Sequence, residues 1–293
     1  MVFSIIIPTK DRPELLIEAI RSVQQQTFQD WEIIIVDDAS SEATAAAVRP
    51  FVSGKIKYLR NETSLGPGGT RNRGILSASP ESIFISLLDD DDTYYPEFLQ
   101  KTYDAMVNSS DEIGFSWTGI NNFYPSMQQQ EAFFWDPPFR DRVQAFQGFL
   151  EKRLIGTGYG ITIKKHVFEK VGYFDESLRA VEDTDFFLRM LKFFFYIKIP
   201  FVLVRITRAD NNTDHVNTDS IERADALESI YKKHRESILR NAQAWYNFKR
   251  KISSIYYRLG NQKKAREILF AALQEKFSLR IIILWLKLEM TKR

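Results

Sequence analysis

Four short apolar runs, spaced by helix-patterned segments, constrain this chain more than any other feature. Val2 to Ile7, Trp31 to Val36, Ile56 to Leu59 and Ile83 to Leu88 each read as a buried strand, because continuous β-branched and aliphatic runs of this length suit strands covered on both faces. Between them lie three helical stretches. Asp11 and Glu14 have capping-box spacing, Pro13 fits a first turn, and Leu15, Leu16, Ala19, Ile20 and Val23 recur at helical intervals. Ala43 to Val48 and Thr70 to Leu76 supply the other two. The rhythm predicts an α/β fold, a mostly parallel Rossmann-like sheet flanked by helices. Ligands of such sheets bind beyond the carboxyl ends of the strands, which here carry Pro8-Thr9, Asp37-Asp38, Arg60-Asn61 and Asp89 to Asp92.

The 293 residues hold no cysteine, so disulfide and thiolate chemistry are excluded and a metal ion must be held by oxygen ligands or histidine. The N-terminus carries neither a basic leader nor a long apolar segment, and Ile281 to Leu286 is too short to span a bilayer; a cytoplasmic protein is expected. The net charge of +2 is unevenly spread: residues 220–293 hold 17 Lys/Arg against 7 Asp/Glu, a net of +10, which leaves −8 for residues 1–219. Two parts follow, an acidic body over 1–219 and a basic helical region over 220–293. The helix, Gly260-Asn261 turn and helix around Tyr256 to Leu269 resembles one tetratricopeptide unit, without the second copy a repeat array needs. The basic region, with Trp285 among Ile281, Ile282, Ile283, Leu284 and Leu286, suits peripheral contact with an anionic inner membrane face or packing on the body. No nucleic-acid partner is expected.

Asp89-Asp90-Asp91-Asp92 is the strongest local signal, since four consecutive acids repel one another unless a cation or water screens them. The strand before them would deliver them to the sheet edge, where a divalent ion could join them to a diphosphate. Asp37-Asp38 suits either a nucleoside contact or helix capping. Leu65 to Gly74 is a glycine-rich loop with neither P-loop nor dinucleotide spacing, from which Arg71 or Arg73 could meet phosphate or base. Glu182-Asp183-Thr184-Asp185 opens an apolar helix. One acid serves the helix dipole; Asp185 and Arg189 are four apart and should pair, leaving Asp183 as the freer candidate for a general base.

Taken together, these segments resemble the family 2 glycosyltransferases of the GT-A fold, from Ser4 to about Asp214. Ser4-Ile5-Ile6-Ile7-Pro8-Thr9 is similar to the family's opening strand and Val36-Asp37-Asp38-Ala39-Ser40 to its second strand end, where glycine is usual at Ala39. Gly66 to Gly74 is similar to its glycine-arginine-asparagine segment, Asp89-Asp90-Asp91 stands at its Asp-X-Asp motif, and Glu182-Asp183 at its acidic pair. The resemblance implies inverting transfer from a nucleotide-sugar donor, a UDP-sugar foremost, to a hydroxyl of a glycan or lipid-linked saccharide. Asp183 would be the general base beside Glu182, and Asp91 with Asp89 would hold Mg²⁺ or Mn²⁺. Pro8, Thr9, Asp38, Arg71, Asp89 and Asp90 fall at nucleotide-side positions, Asp38 at the base. Four aspartates where the family needs two leave the metal register open by one residue. Trp117, Trp135 and Tyr159 are candidates to stack on a sugar; Arg205, Arg208 and His215 stand near the family's polar loop. A non-catalytic nucleotide-binding scaffold and a nucleotidyltransferase are the competing readings.

Overall fold

The computed structural model describes residues 1–134, 137, 139–152, 156–208 and 220–290. The first half alternates as the apolar runs require: β1 (Phe3–Thr9), α1 (Pro13–Gln24), β2 (Trp31–Asp37), α2 (Glu42–Val48), β3 (Ile56–Arg60), α3 (Gly66–Leu76) and β4 (Phe84–Leu87). Then come β5 (Asp92–Tyr94), α4 (Phe98–Met106), β6 (Ile113–Tyr124), β7 (Gln129–Phe133), α5 (Arg142–Lys152), β8 (Thr162–Lys164), α6 (His166–Val171), α7 (Glu182–Leu191) and β9 (Phe195–Thr207). Helices α8 (Ile221–Lys233), α9 (Arg235–Arg240), α10 (Ala242–Arg258), α11 (Gln262–Glu275) and α12 (Leu279–Met290) complete the described chain.

The strands form one sheet in the order β3-β2-β1-β4-β8-β6-β9-β5, with β7 also on β6. Strands β1, β2, β3, β4, β6 and β9 run one way, and β5, β7 and β8 oppose them. Side chains alternate across the sheet, so Phe3, Ile5, Ile7, Ile33 and Ile35 face one apolar layer with Leu16, Ala19, Ile20 and Val23 of α1. Ile6, Ile34, Val36, Ile85 and Leu87 face the other. Both faces being apolar, helices must cover both.

The second layer continues without a break into the C-terminal helices: Leu227, Ile230, Trp245, Phe248, Ile252 and Ile281 belong to the same buried cluster as Ile6 and Phe187. Polar ties reinforce it. Asp185, fully buried on α7, accepts from Arg189 Nε at 2.8 Å, as the four-residue spacing predicts, and also from Lys233 Nζ at 2.9 Å, with His234 Nε2 at 2.8 Å. Burial alone would raise its pKa, but His234, Lys233 and the Arg189 charge hold it well below the ordinary carboxylate range. Asn241, the N-cap of α10, also reaches Gln147 and Glu151 of α5. Turn residues Gly260 and Asn261 join α10 to α11, with Asn261 capping the second helix. Among the described residues no helix is long and apolar enough to cross a membrane.

Two local expectations are corrected. Helix α3 begins at Gly66, not at Thr70, so all but the first residue of the glycine-rich segment is helix rather than loop. Pro67 suits its first turn, and Gly68 and Gly69 are buried there. Asp11 does not cap α1: its backbone lies at φ 53° and its carboxylate accepts from Ser41 N at 2.8 Å at the start of α2, while Arg12 stands at the α1 N-cap position.

Candidate active site

A cleft of about 1150 Å³ opens at the carboxyl ends of the parallel strands, and all nine proposed site residues line it: Pro8, Thr9, Asp38, Arg71, Asp89, Asp90, Asp91, Glu182 and Asp183. Strands β1, β2 and β4 deliver the first group, α3 brings Arg71, and the N-terminus of α7 brings Glu182-Asp183. Residues more than 100 positions apart are joined by one side chain. The buried Arg71 guanidinium donates to Glu182 Oε1 at 2.6 Å, to Asp89 Oδ1 at 2.7 Å and to Thr157 Oγ1 at 3.3 Å.

The acidic run divides its work. Asp90 accepts from Thr9 Oγ1 at 2.7 Å and lies 3.3 Å from the Arg12 guanidinium, which also binds Asp91 at 2.9 Å. Burial pushes the Asp90 carboxyl up to about 6; Thr9 and Arg12 oppose the shift, Asp91 and Asp89 add to it. Asp92 is buried and also raised well above the ordinary carboxylate value, first by burial and then by Asp89 and Asp91, and its Oδ1 lacks a hydrogen-bond partner among the described residues. The Asp89 and Asp91 side chains remain 28% and 21% exposed. Arg12 and Arg71 offset part of the charge of the run, and the remaining surplus of negative charge with accessible carboxylate oxygens fits a hard divalent cation. No described group of three His, Cys, Asp or Glu residues gathers to cage one, so ligand oxygens and water would complete the shell, as Mg²⁺ prefers.

Asp38 both lines the cleft and holds the turn that leads into α3. Its carboxylate accepts from Asn61 Nδ2, Ser64 Oγ, Leu65 N and Gly66 N at 2.6–3.1 Å while lining the cleft. Burial raises its pKa, but the donors Ser64, Asn61 and Leu65 bring it below the ordinary value. Asp37 is fully buried away from the cleft, capping Ser40 N and accepting from the Tyr58 hydroxyl. Between β2 and α2, Ala39 holds φ 63°, a left-handed backbone that favours glycine.

The end of α7 is built under strain. Val181, β-branched and at the α7 N-cap, holds φ 54°, a costly conformation that tends to be kept at functional sites. Asp183 Oδ1 accepts from Thr184 N at 2.6 Å, which turns Oδ2 toward Gly156, where an added Cβ would stand only 3.0 Å away. At Gly158 a Cβ would meet Asp92 Oδ2 at 3.1 Å. Glycine at 156 and 158 therefore lets this backbone approach the acids closely, where a Cβ would require the carboxylates to shift by a few tenths of an ångström. Burial raises Glu182, and Arg71 opposes that shift without cancelling it.

Other candidates separate by position. Tyr159 and Arg208 line the cleft, Arg208 Nε donating to Asn122 Oδ1 at 2.7 Å. Trp117 does not: it is fully buried against Tyr196 and Phe115, and cannot stack on a sugar. Arg205 pairs with Glu18 and covers the Phe123 ring, and Arg73 donates to Arg60 O and Asn61 Oδ1, so neither lines the cleft. Trp135 and His215 lie outside the described residues. Arg12, Thr157 and Arg179 also line the cleft and were not picked out from the sequence. Arg12 follows the strand end at Thr9, a position that could have flagged it; Thr157 and Arg179 had no signal beyond their neighbours.

The model of glycosyl transferase family 2 matches residues 4–172. A Campylobacter jejuni protein, GalNAc(5)-diNAcBac-PP-undecaprenol beta-1,3-glucosyltransferase, is 29% identical over 292 residues, covering 96% of this chain and 91% of its own. An uncharacterized glycosyltransferase of Haemophilus influenzae is 30% identical over 194 residues, 65% of this chain and 62% of that protein. Among solved structures, S. aureus TarS 1–349 in complex with UDP-GlcNAc superposes with a TM-score of 0.68 at 17% identity, covering 96% of this chain and 83% of TarS 1–349, which shows a shared fold. With its family segment running through the strands that build the cleft, this chain belongs to glycosyl transferase family 2 and is a glycosyltransferase.

Proposed function

We propose that the enzyme transfers a sugar from a UDP-sugar to a hydroxyl of a lipid-linked saccharide or related glycan, with inversion at the anomeric carbon. The observation that carries this reading is the single cleft in which Arg71 ties the strand-end acids to the α7 terminus bearing Asp183. The acceptor oxygen attacks the anomeric carbon as the bond from that carbon to the diphosphate oxygen breaks, and the hydroxyl proton passes to Asp183 Oδ2. One displacement inverts the centre. Pro8, Thr9 and Asp38 receive the nucleoside, Asp38 also holding the turn that starts α3, and Arg12 steadies Asp90 and Asp91. Mg²⁺ or Mn²⁺ held by Asp91 with Asp89 would offset the charge growing on the leaving diphosphate. The Campylobacter relative's name carries a PP-undecaprenol acceptor, and an Escherichia coli relative, 35% identical over 107 residues (36% of this chain, 42% of that protein), is UDP-Glc:alpha-D-GlcNAc-diphosphoundecaprenol beta-1,3-glucosyltransferase. Those names support the donor and acceptor classes.

Product analysis tests the reaction. Incubation with UDP-sugars and a diphosphopolyprenol-linked GlcNAc should release UDP in step with an inverted glycoside; pyrophosphate release would favour a nucleotidyltransferase, and a retained anomer would exclude Asp183 as the base.

The substrate class suggests work at the inner face of a membrane. The basic C-terminal region exposes Phe270, Phe277, Leu279, Ile283 and Leu286, apolar side chains able to enter a lipid interface while nearby cations meet anionic headgroups. The full chain should co-sediment with phosphatidylglycerol vesicles at low salt and be released at high salt; no binding at low salt would end the idea.

A further inference from the structure

One wall of the cleft is not part of the family segment at all. Asn247, Arg250 and Lys251 of α10 line it, and residues so spaced share one helix face. Arg223 and Leu227, four apart on α8, line it from the neighbouring helix. This wall is anchored: Asn247 Nδ2 donates to Glu151 O at 2.5 Å, Asn241 grips α5, and Phe248 is buried in the shared core. Arg250 is exposed, so the fold spends no burial on it.

The cations sit among apolar lining groups, Leu150, Leu227 and Phe248. A phosphate group followed by hydrocarbon matches that mixture, whereas a nucleoside does not. The cleft volume of about 1150 Å³ also exceeds the roughly 300–1,000 Å³ typical of a site for one small molecule, leaving room for a second substrate. The donor end has its own cations, Lys10 and Arg12, beside the strand-end acids.

We propose that Arg223, Arg250 and Lys251 form an anion subsite for the diphosphate of the acceptor, with the first carbons of its lipid against Leu227 and Phe248. The inference rests on the transferase reading above and deepens it by giving the C-terminal helices a share in substrate binding. Cationic side chains make charge-assisted contacts with phosphate oxygens, and a wall held by the core presents them ready-placed.

Titration of geranyl diphosphate into the full chain, with and without saturating UDP, is the test. The wild type should bind it with UDP present. The variant Arg223→Ala/Arg250→Ala/Lys251→Ala should bind it about tenfold more weakly or worse while keeping its affinity for UDP, and Arg250→Lys/Lys251→Arg should retain binding, showing that charge and not folding is responsible. Equal affinity in wild type and triple variant would overturn the proposal, as would a parallel loss of UDP affinity, which would assign the cations to the donor. So would a triple variant that loses only vesicle binding, since the anion would then be a membrane headgroup. If UDP does not bind at all, the transferase reading fails, yet the titration without UDP still reads this wall.

Discussion

Asp183→Asn is expected to lower kcat by about 10³-fold, within the range a positioned general base contributes, with UDP affinity unchanged. Asparagine keeps the size of the side chain and an oxygen for the Thr184 amide, which Asp183 Oδ1 now accepts at 2.6 Å. What it loses is the basic oxygen facing Gly156 in the cleft. Because proton removal matters only as the acceptor attacks, the loss should fall on kcat, with little change in KM for donor. Steady-state rates of UDP release together with calorimetric UDP binding check this. Turnover within tenfold of the wild type would remove Asp183 from the base role.

Arg71→Met should have the largest effect on stability. It strips the counter-charge from Glu182, whose side chain is only 8% exposed, and from Asp89. Removing one member of a buried ion network typically costs about 3–5 kcal/mol, which would lower Tm by roughly 10 °C for a chain of this size. The loss should depend on pH in a defined direction. Glu182 is already raised by burial against the opposition of Arg71, and without Arg71 it rises further. A carboxyl whose folded pKa lies above its unfolded value binds more protons when folded, so stability falls as pH climbs toward and through the folded pKa. Arg71→Met should therefore be closest to the wild type near pH 5 and furthest from it near pH 8. Arg71→Met/Glu182→Met should recover much of the Tm, because well-packed apolar replacements of buried ion pairs are often neutral, without recovering transfer. Thermal melts across pH that show equal destabilisation at both ends would mean that Arg71 matters through packing alone.

The helix-strand alternation and the strand-end acids were legible in order along the chain because both are local: short continuous apolar runs and period-3.6 apolar patterns declare their elements, and a strand end places its next residues at the sheet edge whatever follows. The glycine preference at Ala39 is local too, a φ of 63° imposed by the turn between β2 and α2. The start of α3 is not legible locally, because glycines that weaken an isolated helix are tolerated where neighbours crowd them, as Phe174 and Asp175 crowd Gly68.

By itself, then, the sequence determined the α/β framework, the edge at which the cleft opens and the acids placed there. Tertiary structure alone decided which polar groups meet. It sent Trp117 into the core and Arg205 to Glu18, and it brought Arg71 to both Glu182 and Asp89. It also folded α8 and α10 back so that Arg223, Arg250 and Lys251 reach a cleft whose strand-end acids lie more than 100 residues earlier. The physical reason is that side-chain direction and long-range pairing follow from how apolar faces bury one another across the sheet, and no spacing within a single segment encodes that.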